Sequence, residues 1–361
     1  MPLKRPWRTA YGEDSAIHSV LVRLNAGGVD GWGESCPLYA PTYSPESALS
    51  VYETCREFFL PRVVGKEIAT AADLMGLLSM YRGNPFAKAA VEAAWWALES
   101  KHREIPLSKA LGGGAVDTIA CGEDFGLEDS IDRLLENIES AVCRGAPRIK
   151  LKVKRHWDVD VLRAVRTAFP RIVLHIDCNA GYDLRNDLDT LKAFDSFDLA
   201  MIEQPLADTD IFEHAKLQAC IGTPVCLDES IKSPRDFRVA LEMGACRAVN
   251  VKPGRVGGLQ CALEIHNMAR DSGVTAWVGG MLESSVGAAI CASLATLPGF
   301  TYPADIFPTT RFYARDAAGV EVRLREKYVL DVNRLWSAAC EPNVGCIERV
   351  TIASTVVGVT P

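Results

Sequence analysis

Beyond about residue 113 the chain settles into short apolar runs separated by amphipathic stretches. The runs are TIACG, RIKLKV, RIVLHID, LAMIEQP, PVCLDES, AVNVKPG and VTAWVGG. Helix-like segments such as DVDVLRAVRTAFP and PRDFRVALEMGA lie between them. Strand–helix alternation at this spacing builds parallel sheets through right-handed crossovers. Seven or eight such units predict a closed TIM-type βα barrel rather than an open sheet. The first hundred residues have another rhythm. IHSVLVRLNAGGVDGWGES predicts two strands joined by a Gly-rich turn. SPESALSVYETCREFFLPRVVG predicts a helix with Ser44 as N-cap and Pro45 in first position. NPFAKAAVEAAWWALESKHRE predicts a long Ala-rich helix. LGGGAVD, at 111–117, marks a junction. From GVEVRLREKYVLDV onward the barrel rhythm stops. The expected division is an N-terminal domain over 1–112, a barrel over 113–315, and a segment over 316–361 that returns to the first domain.

One strand is polar in an unusual way. In RIKLKVKR, Lys150, Lys152 and Lys154 alternate with Leu151 and Val153, so the ammonium groups share one face. A lone Lys-x-Lys strand is ordinarily a charge-protected sheet edge. Here it belongs to a series. Lys152, Asp177, Glu203, Asp228 and Lys252 stand at intervals of 25, 26, 25 and 24 residues, each at the end of an apolar run. One charge therefore recurs at the same phase of five consecutive βα units. In a parallel barrel the carboxyl ends of the strands converge on one rim. The series becomes an arc of Lys, Asp, Glu, Asp and Lys. Three bare carboxylates held together repel and raise one another's pKa values. A divalent cation relieves this, and an all-oxygen donor set favours Mg²⁺ over Zn²⁺. A metal flanked by lysines suits removal of a proton next to a carboxylate through an enediolate. Lys152 is the expected base. Lys150, one step back on the same face, is expected to lower the pKa of Lys152 and to touch the substrate carboxylate. Lys154 and Arg155 are expected past the strand end, in solvent.

Composition narrows the partners. Of 361 residues, 48% are hydrophobic and 24% charged, the range of a globular protein. The formal charge of −7 and the lack of basic blocks exclude a general nucleic-acid binder. The 12 cysteines are scattered without a C-x-x-C pair, as buried reduced thiols would be. MPLKRPWRTA lacks the apolar region of a signal peptide, and no run approaches the ~18 apolar residues of a membrane span. The expected location is cytoplasmic and the expected partner a small-molecule carboxylate. Neither nucleic acid nor membrane is expected, and a homo-oligomer is left open. GRVGGLQ lacks the full dinucleotide fingerprint.

With these residues in view, the chain resembles the enolase superfamily, in its muconate-lactonizing branch. The motifs are GWGES, K-x-K at 150–152, DCN at 177–179, EQP at 203–205, DES at 228–230, NVKPGRVGG at 250–258 and GGMLESSVG at 279–287. The resemblance implies an α+β capping domain on a (β/α)7β barrel. It implies Asp177, Glu203 and Asp228 as ligands of one Mg²⁺, and Lys152 and Lys252 as the acid/base pair. It puts Asn179 and Glu229 just behind the ligands. GGMLES, YPADI and RFYARD look most like the o-succinylbenzoate synthase and N-succinylamino acid racemase family, a lyase and an isomerase chemistry; the former serves menaquinone biosynthesis. Arg255 falls where racemase-capable members carry an arginine. Dipeptide epimerases usually show Asp-x-Asp near the last strand, whereas Asp305 is followed by Ile306 and Phe307. The stretch Lys154-Arg155-His156-Trp157-Asp158 departs from the Pro-Gly turn of close relatives.

By the same resemblance, pocket specificity comes from the cap, through loops near 7–16 and 38–44. Tyr39, Thr42 and Tyr43 are candidates for closing over substrate, and Met281 and Ser284 for lining the pocket. Among the outcomes of one proton abstraction, dehydration to o-succinylbenzoate is expected first, with N-succinylamino acid racemization, alone or beside it, as the alternative, and dipeptide epimerization and cycloisomerization behind them. A Schiff-base lyase would use a lysine but not three in-phase carboxylates. A non-catalytic barrel would tolerate loss of both lysines.

Overall fold

The computed structural model describes residues 1–114 and 116–358. Ala115 and residues 359–361, which fall in the expected barrel and C-terminal segment, lie outside the described residues. Four strands open the chain: β1 (Pro2–Thr9), β2 (Gly12–Ala16), β3 (Val20–Ala26) and β4 (Val29–Ser35). They pair as two antiparallel hairpins. The expected β3–β4 hairpin turns on Gly27 and Gly28, with φ of 58° and 79°. Such a turn needs left-handed backbone at both centres. GWGES also has a packing reason. A side chain on Gly31 or Gly33 would collide with the backbone of the Pro85–His102 helix near Ala90, Ala94 and Leu98. The two glycines let that Ala-rich helix lie directly on β4.

The preceding helix starts later than Ser44. It spans Ala48–Thr54, with Ser47 as N-cap in a reciprocal capping box with Ser50. Two otherwise unpaired N–H groups are satisfied by that exchange. Ser44 instead accepts a bond from Glu46 N at 3.2 Å, in the turn before it. The Glu46 carboxylate reaches Phe86 N and Ala87 N at 2.9 and 3.0 Å, holding the start of the long helix.

The next strands are β5 (Thr118–Ala120), β6 (Glu123–Phe125), β7 (Ile149–Lys152), β8 (Leu174–Asp177), β9 (Ile202–Glu203), β10 (Val225–Leu227), β11 (Ala248–Val251), β12 (Thr275–Val278) and β13 (Val329–Asp331). Strands β6 to β12 form one seven-stranded parallel sheet in chain order. Residues 300–306 close it. Asp305 N donates to Val278 O, and Ala304 exchanges bonds with Ala120 O and Gly122 N, all at 3.0 Å. The TIACG run is split: Cys121, near its end, pairs in parallel with Ala304 of the closing segment, but its first half does not belong to the barrel sheet. Its β5 pairs antiparallel with β13, and the barrel starts at β6. Apolar patterning misses β6 because its buried residues are Glu123, Asp124 and Phe125, and the inward acid is neutralised inside the barrel. The Val332–Ala339 helix that follows β13 buries Leu335 and Trp336 in the barrel-side core, and Lys101 of the long cap helix pairs with Glu341 at 2.5 Å. Among the described residues no helix is long and apolar enough to cross a membrane.

Candidate active site

Alternation along β7 sorts its side chains. Ile149, Leu151 and Val153 join the apolar core, and Arg148, Lys150 and Lys152 take the opposite, inward face. Lys152 pairs in register with Asp177, and Asp177 with Glu203. Cys226 pairs with Glu203 and Leu227 with Val249, so Asp228 and Lys252 stand progressively further up their strands. That climb is the stagger of a closed barrel. Asp177, Glu203 and Asp228 are fully buried, and one oxygen from each lies within 4.8 Å of the others.

The two outer acids each hold a lysine. Lys152 Nζ donates to Asp177 Oδ2 at 2.6 Å, and Lys252 Nζ to Asp228 Oδ2 at 2.8 Å. Burial raises the Asp177 pKa, but Lys150 and Lys152 outweigh it and hold the carboxyl well below its usual range. The same contest, with Lys252 and Arg255, leaves Asp228 at about 2. Glu203 lies between them and is pushed up to about 7, first by burial and then by Asp177. Burial also works against the Lys252 ammonium, but Asp228 and Tyr43 raise its pKa well above the ordinary value.

Lys150 lies one step back from Lys152 on the same inward face, as expected. It lies deep in the barrel, with Nζ 2.9 Å from Asp177 and 2.8 Å from Glu203. Burial opposes its charge, yet Asp177, Glu203 and Asp124 raise its pKa. Lys154 and Arg155 are exposed beyond the strand, with Arg155 paired to Asp187.

Other expected residues divide into two groups. Asn179 is buried, donates from its backbone to Asp177 Oδ1 at 2.9 Å, and bonds Glu229 Oε1 at 3.2 Å. Burial raises the Glu229 pKa. Arg255 is buried, pairs with Asp228, and is tied to Ile231 O at 2.8 Å. Tyr43 donates to Asp228 Oδ1 at 2.7 Å, and burial beside that acid pushes its hydroxyl to about 12. Tyr39, by contrast, is 65% exposed and packs on His18, and Thr42 is exposed. Ser284 is engaged elsewhere: it caps the Ser285–Leu294 helix and donates to Glu34 Oε2 at 2.5 Å. Met281 lines a small cavity between cap and barrel, together with Glu34, Cys36, Phe86, Gly254 and Glu283. None of the five in-phase charges lines that cavity.

Several groups at the site escaped the sequence reading. Tyr11, at the tip of the first hairpin, takes a 3.2 Å bond from Asn179 Nδ2 and stacks edge-on against Tyr43. Asn250 donates to Glu203 Oε1 at 2.8 Å. His175 Nε2 lies 3.3 Å from Glu203 Oε2 and its Nδ1 bonds Tyr302 at 2.9 Å. Both sit two residues before a charge of the arc, on the same strand face, which is the signal that could have found them. Among the described residues, Glu203 Oε2 makes no aligned hydrogen bond despite its close cations. A buried, all-oxygen, mutually repelling trio with its oxygens this close together is able to hold a hard metal ion.

Comparison with known proteins agrees with this geometry. Residues 1–112 match the N-terminal domain of the mandelate racemase / muconate lactonizing enzyme family, and residues 133–334 match the family described as enolase C-terminal domain-like. The chain is 43% identical to the o-succinylbenzoate synthase of Geobacillus stearothermophilus over 90% of its length and 86% of the relative's. It is 41% identical to the N-succinylamino acid racemase of Thermus thermophilus, over 88% of this chain and 85% of the other. The solved structure of a probable mandelate racemase from Alicyclobacillus acidocaldarius superposes with a TM-score of 0.91 at 34% identity, covering 98% of this chain and 94% of that one. Fold, in-phase charges and sequence thus converge: the chain belongs to the enolase superfamily, within the mandelate racemase / muconate lactonizing enzyme family.

Proposed function

We propose that this protein is a Mg²⁺-dependent enzyme that removes a proton alpha to a carboxylate, and that its reaction is the dehydration giving o-succinylbenzoate. The observation that carries the reading is the buried acidic trio with a lysine paired at each end. Asp177, Glu203 and Asp228 would hold the cation. When bound, Mg²⁺ supplies positive charge at the substrate carboxylate, where electron density accumulates as the proton leaves.

Lys152 is the least enclosed of the inward lysines, with 11% of its side chain exposed, and it has one carboxylate partner. It takes the alpha proton on Nζ. The carbon–oxygen bond to the β-hydroxyl then breaks as the double bond forms, and Lys152 returns the proton to the departing oxygen, releasing water. Lys252 is held by Asp228 and Tyr43 and stays charged, opposing negative charge from the other side. Asn250 fixes the orientation of Glu203.

A second reading, racemization of an N-succinylamino acid, is favoured by the second lysine. Lys252 could deliver a proton to the face opposite Lys152. A synthase relative and a racemase relative stand at nearly equal identity to this chain. The test is incubation in D₂O with an N-succinylamino acid and, separately, with the cyclohexadiene precursor of o-succinylbenzoate. Proton NMR and polarimetry follow both. Aromatic product establishes the synthase. Deuterium entry with loss of optical rotation establishes the racemase. Failure of both, with Mg²⁺ present, overturns the substrate assignment.

A further inference from the structure

Beneath the acidic trio, the barrel holds a second layer of charge. Arg148 is fully buried and spans Asp124 of β6 and Asp305 of the closing segment. It takes one oxygen of each, the Oδ1 atoms. Its guanidinium lies 5.4 Å from the Trp277 ring centroid and 5.9 Å from that of Tyr302. Both Oδ2 atoms are left facing Lys150, at 3.4 Å from Asp305 and 3.9 Å from Asp124. On its other side the same ammonium stands 2.9 Å from Asp177 and 2.8 Å from Glu203. One lysine is therefore shared by four carboxylates, two above and two below.

A divalent cation on the trio would compete with Lys150 for the same oxygens of Asp177 and Glu203. Two cations so close repel in a low-dielectric interior. Lys150 has only 3% of its side chain exposed, so water cannot receive it and an unpaired buried ammonium is costly. The Oδ2 atoms of the lower layer lie a short displacement away. We propose that Asp305, held in place by Arg148 and assisted by Asp124, receives the Lys150 ammonium when the divalent cation occupies the trio. Asp305 is then a positioning residue, which acts through Lys150. The inference rests on the metal reading above.

Calorimetric titration of the protein with Mg²⁺ tests it as a double-mutant cycle. Asp305→Asn should weaken Mg²⁺ binding about tenfold when Lys150 is present. In a Lys150→Met background the same change should cost less than about threefold, because no ammonium has to be rehoused. Equal losses in both backgrounds, or no loss in either, would overturn the proposal. If a variant does not fold, crystal structures of the unaltered protein with and without Mg²⁺ decide. Lys150 Nζ is expected to leave Glu203 and close to hydrogen-bond distance from Asp305 Oδ2; an ammonium that stays on Glu203 refutes the idea. A protein that binds no Mg²⁺ at all would sink the metal reading itself, a separate result.

Discussion

Buried acids at the barrel mouth and buried acids along the seam between cap and barrel meet different partners. At the mouth, Asp177 and Asp228 are answered by lysine side chains on neighbouring strands. At the seam, Glu92 of the long cap helix accepts from Leu259 N and Gln260 N at 2.6 and 2.8 Å, the start of the Leu259–Ser272 helix. Glu34 of β4 accepts from Ser284 N and Gly287 N at 3.0 and 2.8 Å, the start of the Ser285–Leu294 helix. Backbone N–H groups at a helix start are fixed donors that otherwise go unpaired. Ammonium groups on long stems can withdraw when another cation arrives. The seam acids therefore join two parts of the fold, and the mouth acids keep partners that a bound cation would displace.

The comparison breaks first at Lys152. Lys152→Ala should lower kcat by about a thousandfold, within the range for loss of a general base, with thermal melting and Mg²⁺ affinity retained. A near-normal rate would remove Lys152 from the chemistry. Next, Asp228→Asn should weaken Mg²⁺ binding on the order of a hundredfold, at least the effect of losing an outer partner of a metal site. Calorimetry showing unchanged affinity would take Asp228 out of the donor set.

At the seam the expected effects move from affinity to stability. Glu92 is pushed up to about 7 by burial, against the pull of its N–H partners. Its folded pKa lies above the unfolded value near 4.5, so between these values the folded state binds more protons. Stability therefore falls as pH rises from about 4.5 to about 7, by about 3 kcal/mol from this group. Denaturant melts of the unaltered protein and of Glu92→Gln should differ in slope across that window, with Mg²⁺ affinity within about twofold. Parallel slopes would contradict the assignment. The smallest effect is expected at Tyr39→Ala: kcat/KM within about twofold, since the ring lies in solvent against His18. A tenfold loss would return Tyr39 to the pocket.

The in-phase charges could be read from sequence because each barrel repeat has nearly the same length and each strand ends at the same rim. The pairing of Arg148 with Asp305 has no such rhythm to announce it. Arg148 and Asp305 are 157 positions apart and meet only because the barrel closes. Loop residues were harder again. Tyr39, Thr42 and Tyr43 are close in sequence, yet only Tyr43 turns inward to Asp228. Ser284 lies near the end of the seventh barrel strand, which points to the pocket, but helix capping and Glu34 engage its hydroxyl. Pro45 in SPES suggested a helix start, and a competing capping box three residues later won.

The alternation on β7 has a consequence for folding. Were this strand to slip by a single residue against its neighbours, Ile149 and Leu151 would swing into the polar interior. Arg148, Lys150 and Lys152 would be driven among the surrounding helices, where Leu162 and Val165 wait. Each stranded cation would cost several kcal/mol. The strand that carries the most demanding chemistry is thus also one whose register is strongly specified.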